Sequence, residues 1–225
     1  MIATGLLAAA LGVNLLTPPI ASGVLRASLG GELGTSDVRV RVDAWPPSAV
    51  WVGRIDALTV AARHLRMGTL AVDALDLRLG DLRLDPEALY LARMLVIQHL
   101  GSGVARATVS EGALRQVLAS QPSLRDVSVA IAAGRVSVGA TVSVLGAPVR
   151  ATGDGRLVVR DGTSVDLVLD RLAVAGVPLP AAVAEQVMRS VNPVVDVRSL
   201  PFSLRLVGLR VADGKATLDA SVRPR

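Results

Sequence analysis

Two histidines and a spread set of aspartates are the residues of this chain whose types could do acid–base, metal or nucleophilic chemistry. His64 lies in Ala61-Ala62-Arg63-His64-Leu65-Arg66, and His99 in Ile97-Gln98-His99-Leu100. Neither has a His or Glu at metal-ligand spacing, so both read as exposed or satisfied strand histidines. Asp73, Asp76, Asp81 and Asp85 stand three, five and four residues apart and alternate with Leu and Arg. A cation site needs oxygens that converge. This spacing scatters them along a strand and its turn, as a solvated face would. Gly101-Ser102-Gly103 is not a G-x-S-x-G elbow and reads as a connection; Asp161, in Arg160-Asp161-Gly162, reads as a turn residue. The chain has no G-x-G-x-x-G and no phosphate-binding G-x-x-x-x-G-K-[ST]. With no Cys there is no thiolate nucleophile, thiolate metal site, disulfide or lipidated N-terminal Cys. The expectation is no catalytic residue, no cofactor and no metal. A lipid hydrolase would need a His within hydrogen-bond reach of a Ser or Asp beside a cavity.

The elements that carry these residues are read from composition first. A length of 225 residues fits one large domain or two small ones. Hydrophobic residues make up 51% and aromatics 2%, with a mean hydropathy of +0.52. That excludes disorder, which needs low hydrophobicity. It argues against single-stranded nucleic acid, whose bases stack on aromatic rings. The net charge is +5, and 23 of the 24 basic residues are Arg. They run from Arg26 to Arg225 and mostly alternate with apolar residues, as the wet face of strands does. No nucleic-acid partner is expected. The positive balance suits an anionic membrane surface.

Residues 1–19 form a hydrophobic segment resembling a signal or anchor. Ile2 to Leu16 carries no charge, and Pro18-Pro19 ends it. Fifteen residues fall short of the ~20 that span a bilayer as a helix. Three readings stay open: a signal sequence or signal anchor whose basic start precedes Met1, a buried helix, or a short monotopic anchor. The first implies export to the cell envelope. Ile20, Val24 and Leu25 follow at helical spacing.

Beyond Thr35 the period is two, and residues 20–225 read as a single domain. Val38, Val40 and Val42 alternate with Arg39, Arg41 and Asp43; Leu75, Leu77 and Leu79 alternate with Asp76 and Arg78. Val136–Val144, Val149–Val159 and Ser164–Val174 read as a meander of antiparallel strands. Ala133-Gly134, Gly153-Asp154-Gly155, Asp161-Gly162 and Asp213-Gly214 are hairpin-compatible turns. Two stretches switch to helical period. Ser110 is an N-cap ahead of Leu114, Val117 and Leu118. Pro180 opens a second helix carrying Leu179, Val183, Val187 and Val191, which Asn192-Pro193 stops. The fold class is α+β: a long, strongly curved antiparallel sheet around one or two helices.

Two helices leave many apolar strand faces to cover. An aliphatic Leu/Val lining with few aromatics suits a flexible acyl chain, which gains about 0.8 kcal/mol per buried CH₂. The expected lining is Leu114, Val117 and Leu118 with Leu179, Val183, Val187 and Val191, although the same residues could pack a closed core. In that case the chain is a structural module binding a protein partner through its sheet edges.

Several segments carry a resemblance. They are Gly162-Thr163-Ser164-Val165-Asp166-Leu167, Gly176-Val177-Pro178-Leu179-Pro180, Val191-Asn192-Pro193-Val194-Val195-Asp196 and Leu200-Pro201-Phe202-Ser203-Leu204-Arg205-Leu206. Ala107–Leu114 and Gly53–Leu58 add to it. Together they resemble the LmeA-like phospholipid-binding family. The resemblance implies a tubular lipid-binding-like fold, an envelope location and a non-enzymatic role in holding or moving phospholipid.

Overall fold

The computed structural model describes residues 22–23, 37–67, 70–92, 96–122, 124–144, 147–178, 188–189, 191–198 and 203–223. The apolar segment 1–19 and most of the second expected helix lie outside them. In chain order the elements are β1 (Val38–Asp43), a 3-10 turn (Pro47–Val52), β2 (Arg54–Met67), β3 (Leu70–Leu84), α1 (Pro86–Tyr90), β4 (Ile97–Ser110) and α2 (Glu111–Ala119). Then come β5 (Arg125–Ala132), β6 (Arg135–Val144), β7 (Ala147–Arg160), β8 (Ser164–Val174), β9 (Val177–Pro178), β10 (Val195–Asp196), β11 (Ser203–Ala212) and β12 (Lys215–Arg223). One sheet has the order β1-β2-β3-β4-β12-β11; the other has β10-β8-β7-β6-β5, with β9 on β8. The chain is mostly strand with few helices, consistent with the α+β expectation. It divides into two compact units, one of residues 1–65, 75–105 and 221–225, the other of 66–74 and 106–220.

In the first unit the period-two pattern sets the register. β1 and β2 run antiparallel from Val38↔Ala62 to Asp43↔Ala57. Paired residues share a face, so Val38, Val40 and Val42 are buried with Ala62, Val60 and Leu58. The inward alternation slips by one residue at two places. It passes from Ala62 to Leu65 across His64, and from Leu79 to Leu82 across Asp81. Both residues take the left-handed conformation, with φ of 52° and 50°. That conformation absorbs an extra residue and returns the apolar face inward. The sequence therefore shows alternating leucines on both sides of Gly80-Asp81.

In the second unit β5 to β8 form the expected meander. Its hairpins turn at Ala133-Gly134 (φ 49°, 77°) and Asp161-Gly162 (φ 53°, 66°). Asp213-Gly214 likewise joins β11 to β12. Gly153-Asp154-Gly155 corrects an expectation: it is no turn but lies inside β7, where the register against β8 shifts between Asp154 and Gly155. A Cβ on Gly155 would stand 2.0 Å from the Val168 carbonyl oxygen, and one on Gly153 would stand 2.7 Å from Leu169 Cδ1. The glycines there serve close strand approach at a bulge, not chain reversal.

α2 forms as its cap predicts. Ser110 Oγ accepts from Ala113 N at 3.4 Å. The cap is itself held: Asp73 accepts from Ser110 N at 2.6 Å and from Ser110 Oγ at 3.1 Å. Glu111 Oε1 accepts from Ile131 N at 2.6 Å and ties the first turn to β5. Ala113, Leu114, Val117 and Leu118 make its buried stripe.

Candidate functional site

The outer edge of β8 organises a cavity of the second unit. β10 covers the start of that edge, pairing Val195 with Val165 and Asp196 with Ser164. Asn192 covers the next position through its side chain: Leu167 N donates to Asn192 Oδ1 at 2.9 Å, and Asn192 Nδ2 donates to Leu167 O at 3.0 Å. Asn192 N in turn donates to Met188 O at 2.9 Å, closing the end of the helical turn. β9 covers the far end, pairing Ala173 with Pro178 and Val174 with Val177. Along β8 lies a cavity of about 1030 Å³, bordered by β8 from Ser164 to Ala173, part of β7 and the β7–β8 turn, and Met188, Arg189, Asn192, Pro193 and Arg198. Ligand sites usually enclose about 300–1,000 Å³.

Its lining is mixed, with an aliphatic part on β8. Leu167 is buried, while Val168, Leu169, Leu172 and Ala173 are half-buried and face the space. Its margin is charged, with a distinct division of labour. Asp166, at 5% exposure a buried carboxylate, accepts from Arg160 Nε at 2.5 Å. Asp170 bridges Arg135 at 2.8 Å and Arg156 at 3.1 Å. Asp154 accepts from Ser137 Oγ at 2.6 Å. Arg198 grips Asp196, at 2.7 Å from Nη2 to Oδ2. This side-chain hydrogen bond, aided by Arg198 N donating to the same carboxylate, holds Asp196 down to a pKa of about 2. Arg171 and Arg189 line the cavity with no ion pair among the described residues, and so does Asp161. Two guanidiniums that hold no acid among the described residues, beside the aliphatic side chains of β8, match an anionic group joined to a hydrocarbon.

This wall and margin suit a lipid, and comparison with known families bears on that directly. The LmeA-like phospholipid-binding family matches residues 7–221. The chain belongs to that family. This LmeA-like chain matches no curated protein and no solved structure.

The structure distributes the expected lining residues of this LmeA-like protein as follows. Leu114, Val117 and Leu118 are buried on the inner stripe of α2 and are not among the described lining of the cavity. Val191 is buried beside Asn192, at the cavity's border. Leu179, Val183 and Val187 lie outside the described residues. The cavity is lined instead by the half-buried Leu169 and Leu172 of β8 with Arg171 and Arg189, which are not among the expected residues. Alternation marks β8 as a strand, but it does not mark which part of its edge lines a cavity.

His64 and His99 do not line the cavity. His99 Nε2 stands 3.4 Å from Asp81 Oδ2, with both side chains exposed. Among the described residues no three His, Cys, Asp or Glu side chains converge as a metal site. The aspartates of the 73–85 stretch take separate tasks. Asp73 holds the Ser110 cap, Asp81 bends β3 and meets His99, and Asp85 caps α1 by accepting from Ala88 N at 3.0 Å.

Proposed function

We propose that this LmeA-like protein is a non-enzymatic phospholipid carrier of the bacterial cell envelope. Acyl chains lie against Leu169, Leu172 and Ala173, and the phosphate meets Arg171 and Arg189. The observation that carries this reading is the cavity of about 1030 Å³, whose lining joins Leu167, Leu169 and Leu172 to Arg171 and Arg189, which hold no acid among the described residues. Family membership supplies the ligand class. In this reading the sheets belong to a tubular lipid-binding-like fold, curved around a helix so that the groove stays open to a hydrocarbon tail. Residues 1–19 tether the protein at the membrane outside the cytoplasm, and the bound lipid is transferred rather than altered. Each CH₂ moved from water to the wall contributes about 0.8 kcal/mol, enough for affinity without any covalent chemistry.

The test is organic extraction of the purified protein followed by mass spectrometry. Phospholipid at near-stoichiometric yield is expected, with reduced yield for Ala173→Phe, which narrows the cavity. If no lipid is extracted, and a short-chain phospholipid neither binds nor stabilises the protein, the reading fails. The sheet-edge interaction module then takes its place.

A further inference from the structure

The first unit carries its exposed aromatic surface at one end of the sheet. The β1–β2 connection and the β3–β4 connection both lie there. Leu84 N donates to Gly53 O at 2.8 Å, and Asp85 N donates to Val96 O at 2.9 Å. From this end project Trp45 at 80% exposure, Trp51 at 42%, Val52 at 67% and Leu91 at 79%. The chain has only two tryptophans, and both are here.

The connections are built to hold these side chains outward. Val50 is 1% exposed and pins the 3-10 turn from beneath. Gly53, at φ 77°, sits so close to β3 that a Cβ would stand 2.1 Å from Leu84 O. Asp56 Oδ2 accepts from Trp45 N at 2.5 Å, fixing the start of the loop. Asp85 caps α1, whose last turn delivers Leu91. Large apolar groups kept in water on fixed backbone mark an interaction site rather than a loose loop.

We propose that this end of the first unit is a bilayer-docking tip: Trp45, Trp51, Val52 and Leu91 enter the lipid interface, with the indole N–H groups at headgroup level. Tryptophan favours that boundary because its ring is amphipathic. The inference rests on the phospholipid reading for the nature of the surface, since a two-chain lipid is scarce in water and must be met at a membrane. It does not rest on the cavity of the second unit. Among the described residues the tip carries no basic cluster: Asp43, Asp56, Asp85 and Glu87 stand near it with Arg41 and Arg54, and Asp56 and Asp85 keep their charge while accepting backbone N–H groups. Attraction to anionic lipid therefore does not drive docking; the apolar side chains do, and neutral lipid suffices.

Because both tryptophans sit at the tip, intrinsic fluorescence of the full chain reads the site directly. With phosphatidylcholine vesicles the emission shifts to the blue and is quenched by bromine-labelled acyl chains. The response persists when salt is raised. V52D/L91D keeps both tryptophans and lowers the lipid concentration dependence of the shift by about tenfold or more, as expected for withdrawing two apolar anchors. Its circular dichroism and melting temperature report that it still folds. Emission that stays red with vesicles overturns the proposal. So does emission already blue without them, which shows the tip covered by the chain itself or a second copy. A shift that V52D/L91D leaves unchanged also overturns it. Extracted phospholipid is measured in parallel. Lipid present without a tryptophan response sinks the tip alone, and a tryptophan response without extracted lipid sinks the cavity reading alone.

Discussion

The side chain of Asn192 takes the place of a strand residue beside Leu167. Its carboxamide both accepts from and donates to the Leu167 backbone, at 2.9 and 3.0 Å. One side chain thus continues the edge pairing that β10 begins, and it sets where the cavity opens. A carboxamide offers a donor and an acceptor in the same plane.

Asn192→Ala removes both partners of a half-buried edge. The orphaned Leu167 N–H and C=O should cost about 1–3 kcal/mol each if water is kept out, and less where it enters. Urea unfolding checks this. Asn192→Asp keeps the acceptor and loses the donor, so it should fall between Ala and the native residue.

Arg171→Ala and Arg189→Ala should weaken binding of a short-chain phospholipid while leaving the fold intact. A hydrogen bond to a charged group contributes about 1.5–3 kcal/mol, so each substitution should raise the dissociation constant by about tenfold or more. Calorimetric titration reads the affinity. Melting temperatures near the native value are expected, because neither guanidinium holds an acid among the described residues.

Leu114→Ala tests the other reading of the α2 stripe. Leu114 is 3% exposed and lies away from the described cavity lining. Its truncation should cost about 2–5 kcal/mol of stability, as core deletions do. Extracted phospholipid per folded molecule should stay unchanged. A selective loss of lipid with little loss of stability would instead place α2 in the binding surface.

Asp73→Asn should destabilise the start of α2. Asp73 accepts both from Ser110 N and from the Ser110 hydroxyl that caps the helix. A neutral amide can mimic only one of those acceptances well. A loss of about 1–2 kcal/mol, in line with other cap losses, is expected in a denaturant titration.

The Asp196–Arg198 contact gives a pH dependence of known sign. Arg198 lowers the Asp196 pKa from 3.8 to about 2. A depressed carboxyl stabilises the folded state above its unfolded pKa, and that contribution is lost as the pH falls through the folded value. Asp196→Asn should therefore lower stability by a few tenths of a kcal/mol at neutral pH, because the pair is solvent-screened. The difference from the native protein should close between about pH 4 and pH 2. Thermal melts across that range check it.

Much of the fold was legible because strand alternation and turn glycines are local signals. Val136–Val144, Val149–Val159 and Ser164–Val174 predicted three paired strands, and Asp161-Gly162 and Asp213-Gly214 predicted turns that the backbone adopts. Ser110 announced a helix cap, since its partner Ala113 N is three residues away. The family, too, was readable from short segments such as Asn192-Pro193 and Gly176-Val177-Pro178. Three things required tertiary structure. Gly153 and Gly155 look like turn residues until Val168 and Leu169 approach them from β8. Asp166 looks like the wet half of an alternation until its neighbours bury it against Arg160. The cavity lies along one strand edge, part of which Asn192 and β9 cover, and among the described residues no strand pairs with the stretch between them. Periodicity reports which way a side chain points along its own strand. What lies opposite it depends on segments far away in sequence, and no local pattern encodes that distance.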